Sequence, residues 1–242
     1  MDDFGPQEWL SALRQLESAL GPSFERELAP RLRALAAAPA PADPAERLLA
    51  ALELMDAYVA EQEAHASAAT ACAPGCPFCC HTHRVLVSEL EAVLLVRAVA
   101  ASPQRKDAVA RVQRGRPTTD GPGSSPCAML GKDGSCSVHR ARPSTCRAYL
   151  STSRKACKLY AQGRGPRPDT IRGYPYLAHK MTTAICAREA EDRAGVGGRT
   201  YELNGLMRRI FAEPAKIEAW RRGSPTHEPD LVVLTTPAHA PV

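Results

Sequence analysis

The chain has 242 residues, a formal net charge of +5 and 5% aromatic residues, enough for one large domain or two small ones with a core of Leu, Ala, Val and Ile. No stretch approaches the roughly 18 consecutive apolar residues of a membrane span. The absence of a phosphate-binding loop, dinucleotide fingerprint, nucleophile elbow or His-Glu-x-x-His leaves kinase, nicotinamide and hydrolase chemistry without support.

The start, Met1-Asp2-Asp3-Phe4, is acidic and lacks the basic-then-apolar order of a secretory signal, so the expected location is the cytoplasm, where thiols stay reduced. Residues 6–37 read as two short helices interrupted at Gly21-Pro22, and 38–44 as a stiff Ala-Pro linker. Asp43 caps the next helix, with Pro44 at its first position and Glu46 behind it. That helix runs to about residue 67 and carries Leu48, Leu49, Leu52, Met55 and Val59 on one face. A cysteine loop follows at 72–80, then a short extended stretch at 84–87. Ser88 and Glu91 form a capping box ahead of an apolar helix ended by Ser102-Pro103. A basic helix covers 104–114.

Residues 115–126, rich in Pro, Gly, Ser and Thr, read as a flexible loop. Residues 127–139 read as a β-hairpin around Gly131-Lys-Asp-Gly134, with one thiol on each strand. Pro143 opens a turn or helix, Gly163 to Pro168 is a break, and helices fill 176–222, with Leu177, Met181 and Ile185 on one face and Leu203, Leu206, Met207 and Ile210 on another. The expected organisation is a helical region 1–67, a cysteine region 68–160, a helical region 161–222 and a mobile tail 223–242. The fold class is mainly α: helices wrapped around an irregular cysteine-rich core with a small β-hairpin.

The cysteines carry the chemistry. Cys72-x3-Cys76-x2-Cys79-Cys80 places four thiols in nine residues, among turn residues that fold the chain back on itself, and Cys127, Cys136, Cys146 and Cys157 follow. Thiolates are soft ligands that select zinc, copper(I) or iron–sulfur clusters. The total of nine cysteines is odd, and in a reducing compartment clustered thiols are ligands rather than disulfides. All eight of these are therefore candidate metal ligands, for one centre or a closely spaced pair. Cys79 and Cys80 are adjacent and their side chains diverge, so they serve different centres, or one supports the other. Cys186, in a helix, reads as a core thiol. His81, His83 and His139 lie near the cysteines and are read first as loop histidines, while His65, His179, His227 and His239 are bystanders.

Charge is uneven. Residues 1–66 hold 12 acids and 5 bases, whereas 140–172 hold nine bases and one acid. Such a patch fits a polyanion or an acidic partner. The plainer reading is that arginines offset the negative charge of a thiolate-bound metal, and it makes nucleic acid the weaker choice of partner. Arg142, Arg147 and Tyr149 are the candidates to surround the cofactor or hold an anionic group, and Arg142-Pro143 also shapes the turn that presents Cys146.

These residues together resemble a known family. The double cysteine, Gly134-Ser-Cys136-Ser-Val-His139, and Arg142-Pro143-x2-Cys146-Arg147-x-Tyr149 are similar to the YkgJ-type CxxCxxCC cysteine-cluster family of zinc- or iron-chelating proteins, over about residues 70–160. Glu202-Leu-Asn204 is similar to longer bacterial members. The resemblance implies metal binding. Through relatives linked to flagellin lysine methylation, it also keeps open an oxygen-sensitive iron–sulfur enzyme acting on a protein or peptide with S-adenosylmethionine. The first spacing has three residues where the family name has two, and His139 stands where many members have Tyr. Cys72-x3-Cys76-x-Phe78-Cys79 also has the spacing of the radical S-adenosylmethionine loop. That chemistry, however, uses a barrel of alternating strands and helices, and the residues after the loop read as helical.

Overall fold

The computed structural model describes residues 24–39, 41–65, 70–73, 75–103, 105–168 and 174–235. The first expected helix, up to Gly21-Pro22, lies outside them. Nine α-helices and one three-stranded sheet make up the described residues, so the fold is mainly α as the sequence predicts.

A π-helical turn at Phe24–Leu28 runs into helix α1 (Ala29–Ala37), which buries Leu32 and Ala36. Helix α2 (Pro44–His65) begins where Asp43 accepts the Ala45 amide proton at 3.1 Å. Its inner face holds Leu48, Leu52 and Met55 as expected, together with Tyr58. Strand β1 (Leu86–Ser88) leads into helix α3 (Glu89–Ala101), whose N-terminus is the capping box expected from Ser88 and Glu91. Helix α3 is buried along most of its length because its neighbours cover it on several sides: α2, helix α4 (Arg105–Arg114), and the C-terminal helices α8 (Leu203–Ile210) and α9 (Pro214–Arg221). Helices α5 (Ser144–Ala148) and α6 (Arg154–Ala161) are short and carry Cys146 and Cys157. The long helix α7 (Tyr174–Ala194) packs on both α2 and α5.

The sheet differs from the expected hairpin. Strand β2 (Arg199–Glu202) lies between β1 and β3 (Val232–Thr235), all antiparallel, with Val87 opposite Tyr201. Neither β2 nor β3 is foreshadowed by local alternation: β2 pairs with β1 more than a hundred residues away, and β3 pairs with β2 across more than thirty. The stretch read as a mobile tail is therefore built into the sheet through Thr235, while 236–242 lie outside the described residues. The expected hairpin at 127–139 shrinks to one isolated bridge, Leu130 with Cys136. Cys127 stands before that bridge and on no strand.

The 115–126 loop is tied down rather than loose. Glu202 accepts from the Thr118 amide at 3.0 Å and the Thr118 hydroxyl at 2.7 Å, and the same carboxylate caps α8 through the amides of Asn204 and Gly205. Asn204 donates to the carbonyls of Arg116 at 2.8 Å and Pro126 at 3.0 Å, and accepts from the Ala128 amide at 2.8 Å. Two buried polar side chains thus satisfy a loop whose composition alone reads as flexible.

Candidate metal centre

Each cysteine is positioned by local chemistry. The Cys72 segment pairs with Ser151: the Ala71 amide donates to the Ser151 carbonyl at 2.8 Å, and the Ser151 amide reaches the Cys72 sulfur at 3.4 Å. Gly75 has φ +78, a left-handed value that costs other residues energy, and it turns the chain toward Cys76. A 3-10 turn, Phe78–His81, holds Cys79 and Cys80. The Cys80 carbonyl accepts the Cys127 amide proton at 2.8 Å, joining the two halves of the motif. The turn before Cys136 lies against the first loop, and a Cβ at Gly134 would meet the Gly75 carbonyl at 3.4 Å. Cys146 follows Pro143 on α5, whose first amide, that of Ser144, donates to Glu91 at 2.7 Å. Cys157 lies one turn into α6, capped by Ser153 through the Ala156 amide at 3.1 Å.

These elements enclose one cavity of about 490 Å³, and Cys72, Cys76, Cys79, Cys80, Cys127, Cys136, Cys146 and Cys157 all line it. The rest of its wall is largely apolar, with Met129, Leu150 and Leu203 among the contributors. The thiols surround this space rather than converge within it. Among the described residues, no three or more His, Cys, Asp or Glu side chains are drawn together tightly enough to hold a single ion. Cys186 is apart from the site, 1% exposed on α7, as expected of a core thiol.

Burial keeps several of these thiols protonated. It pushes Cys127 up to about 12 and raises Cys72, Cys136 and Cys146 above the ordinary thiol range. Cys79 is raised by its hydrogen bond with Cys80 and then by burial. A metal that binds here displaces protons, and eight thiols with no carboxylate beside them in the lining form a donor set that fits zinc or an iron–sulfur cluster.

The three residues expected to surround the cofactor divide. Arg142 lines the cavity, and its charge opposes the upward shifts at Cys136 and Cys146. Tyr149 also lines it, with its ring centroid 4.7 Å from that of His83. Arg147 is not in the wall. It is 2% exposed, donates to the Arg142 carbonyl at 2.8 Å and to the Arg140 carbonyl, and pairs with Asp56 of α2. It braces the turn that carries Arg142 and acts on the thiols from behind. His139 reaches the cavity at its rim, while His81 and His83 do not line it. His179, read as a bystander, is buried with Nε2 at 3.8 Å from Asp56. Burial, then Arg147 and Arg142, push its pKa down to about 3, so it is neutral. Sequence reasoning missed Ser151, Asp56 and the cross-chain role of Glu91, because none carries a motif of its own.

Residues 71–155 match the model of the CxxCxxCC family, described as a "putative zinc- or iron-chelating domain". The matched segment contains every cysteine of the cavity except Cys157. No curated protein and no solved structure matches the chain. No helix among the described residues is long and apolar enough to cross a membrane.

Proposed function

We propose that this protein chelates iron as a thiolate-held iron–sulfur centre, with ligands drawn from Cys72, Cys76, Cys79, Cys80, Cys127, Cys136, Cys146 and Cys157. One observation carries the choice over a lone zinc ion: eight thiols line one cavity of about 490 Å³, twice the four donors that such an ion takes. A zinc ion requires four donors at about 2.3 Å from one position, whereas a cluster carries its own inorganic sulfide and takes cysteines spread around its faces. Burial keeps water from Cys127 and Cys157, and Arg142 offsets the charge of the ligated metal. A protein or peptide partner at the exposed Cys72 side fits this reading in the cytoplasm. The S-adenosylmethionine-dependent alternative gains no support from the fold: among the described residues there are three short antiparallel strands and no alternating barrel.

The test is elemental and spectroscopic analysis of protein purified without oxygen. Iron and acid-labile sulfide in equal amounts, with a broad absorbance band near roughly 400 nm, are expected. Zinc with no visible band overturns the cluster and leaves a zinc chelator in its place.

A further inference from the structure

We propose that a second cavity, which shares no residue with the thiol cavity, binds the phosphate group of a small organic molecule. Its volume is about 510 Å³, and its wall holds four arginines, Arg97, Arg105, Arg221 and Arg222, against one carboxylate, Glu218. The proposal goes beyond metal chelation and stands whether or not that reading holds.

Three helix ends bring the arginines together. Arg97 lies toward the end of α3, Arg105 opens α4 after the Ser102-Pro103 break, Arg221 closes α9 and Arg222 follows it. Helices α3 and α9 pack on each other, so side chains more than a hundred residues apart in the chain share one wall. Gly223, at φ +78, turns the chain away beyond α9, and a Cβ there would meet Arg97 Nη2 at 3.5 Å.

Two of the four arginines are held in place. Arg97 donates from Nε to the Arg221 carbonyl at 2.8 Å and pairs with Asp43, and Arg221 donates to Glu218 at 3.0 Å. Arg105 and Arg222 are exposed and have no carboxylate partner among the described residues. Asp43 and Glu218 therefore offset two positive charges and leave two. Arg105 is also the first residue of α4, the end of a helix where the dipole favours an anion over a cation. Asp107, in the same turn, does not line the cavity. Like charges gathered around one space repel one another until an anion enters it.

The surplus matches a phosphate monoester. That group carries about −1.5 to −2 charge at neutral pH and presents three acceptor oxygens, and guanidinium forks bind such oxygens two at a time. The cavity is larger than a phosphate alone and lies within the roughly 300–1,000 Å³ of small-molecule sites. Ala100 and Ala101 complete its wall, and their small side chains leave room for the organic part of the ligand.

The test is calorimetric titration of the full chain with adenosine monophosphate and glycerol phosphate, each beside its phosphate-free counterpart. Salt is held at about 0.15 M, where exposed charges are screened beyond about 8 Å. Binding of a phosphate ester and not of its counterpart is expected. The double variant Arg105→Ala, Arg222→Ala should weaken it by at least about tenfold. Both side chains are exposed, so the variant should melt with the parent and retain the same metal, which separates loss of the site from loss of the fold. Inorganic phosphate bound as tightly as either ester overturns the organic ligand. A single-stranded oligonucleotide bound more tightly than both esters, and released by the same substitutions, overturns the small molecule in favour of a polyanion. No heat from either ester at millimolar concentration, or binding unchanged in the double variant, overturns the site.

Discussion

Glu91 accepts the Ser144 amide proton at 2.7 Å, and its other oxygen accepts the Ser88 amide proton at 2.8 Å. One carboxylate, 3% exposed, thus closes the capping box of α3 and also satisfies the first amide of the helix that presents Cys146. Glu91→Ala removes both and strands a buried amide. It should cost about 3 kcal/mol. Denaturant unfolding of the metal-loaded protein checks this, with Glu91→Gln expected to retain part of the loss because its amide oxygen still accepts. An unchanged midpoint for Glu91→Ala would falsify the dual role.

Arg147 is an anchor whose geometry matters more than its charge. Its fork reaches two backbone carbonyls and Asp56 at once, which a lysine ammonium cannot reproduce. Arg147→Lys is therefore expected to lose about 2 kcal/mol of stability. Arg142→Lys, at the half-exposed cavity wall, should leave stability nearly unchanged and alter metal retention instead. Thermal melts of both variants, read beside their metal content, separate the two roles. Equal melts for both would remove the distinction.

Asn204 secures the 115–126 loop through three hydrogen bonds. In Asn204→Ala, the carbonyls of Arg116 and Pro126 and the Ala128 amide lose their partner, at a cost of about 2–4 kcal/mol. Amide exchange across 115–128 should accelerate, and limited proteolysis should cut there first. Parent-like exchange in that segment would show that other contacts hold the loop.

The pH response of the metal-free and metal-loaded forms should have opposite signs. Burial raises Cys127 from 9.0 to about 12, so between those values the unfolded chain releases a proton that the folded metal-free chain keeps. Stability from this group is complete below pH 9 and is lost as pH rises toward 12. Metal ligation consumes thiolates, so metal affinity climbs over the same range. Melting temperatures of chelator-treated and metal-loaded protein, followed upward from pH 7, should diverge. Parallel curves would mean that the buried thiols are not the ligands.

How much was legible depended on how local the physics is. The capping box at Ser88 and Glu91, the Asp43 cap, the Leu48–Leu52–Met55 face and the cysteine loop all arise within a few residues. Backbone donors and turn geometry are satisfied there by near neighbours. The donor set could be named from its residue types before any fold was known. Tertiary structure decided what those types do together. It brought Cys127, Cys136, Cys146 and Cys157 to the cavity of the first loop, and moved Arg147 behind the wall while leaving Arg142 in it. It also paired β1 with a strand more than a hundred residues away and tied down a loop that composition reads as free. Each of these rests on a hydrogen bond or packing contact between distant segments. Their partners are selected by the closed core as a whole, and no short window of sequence contains both sides of the contact.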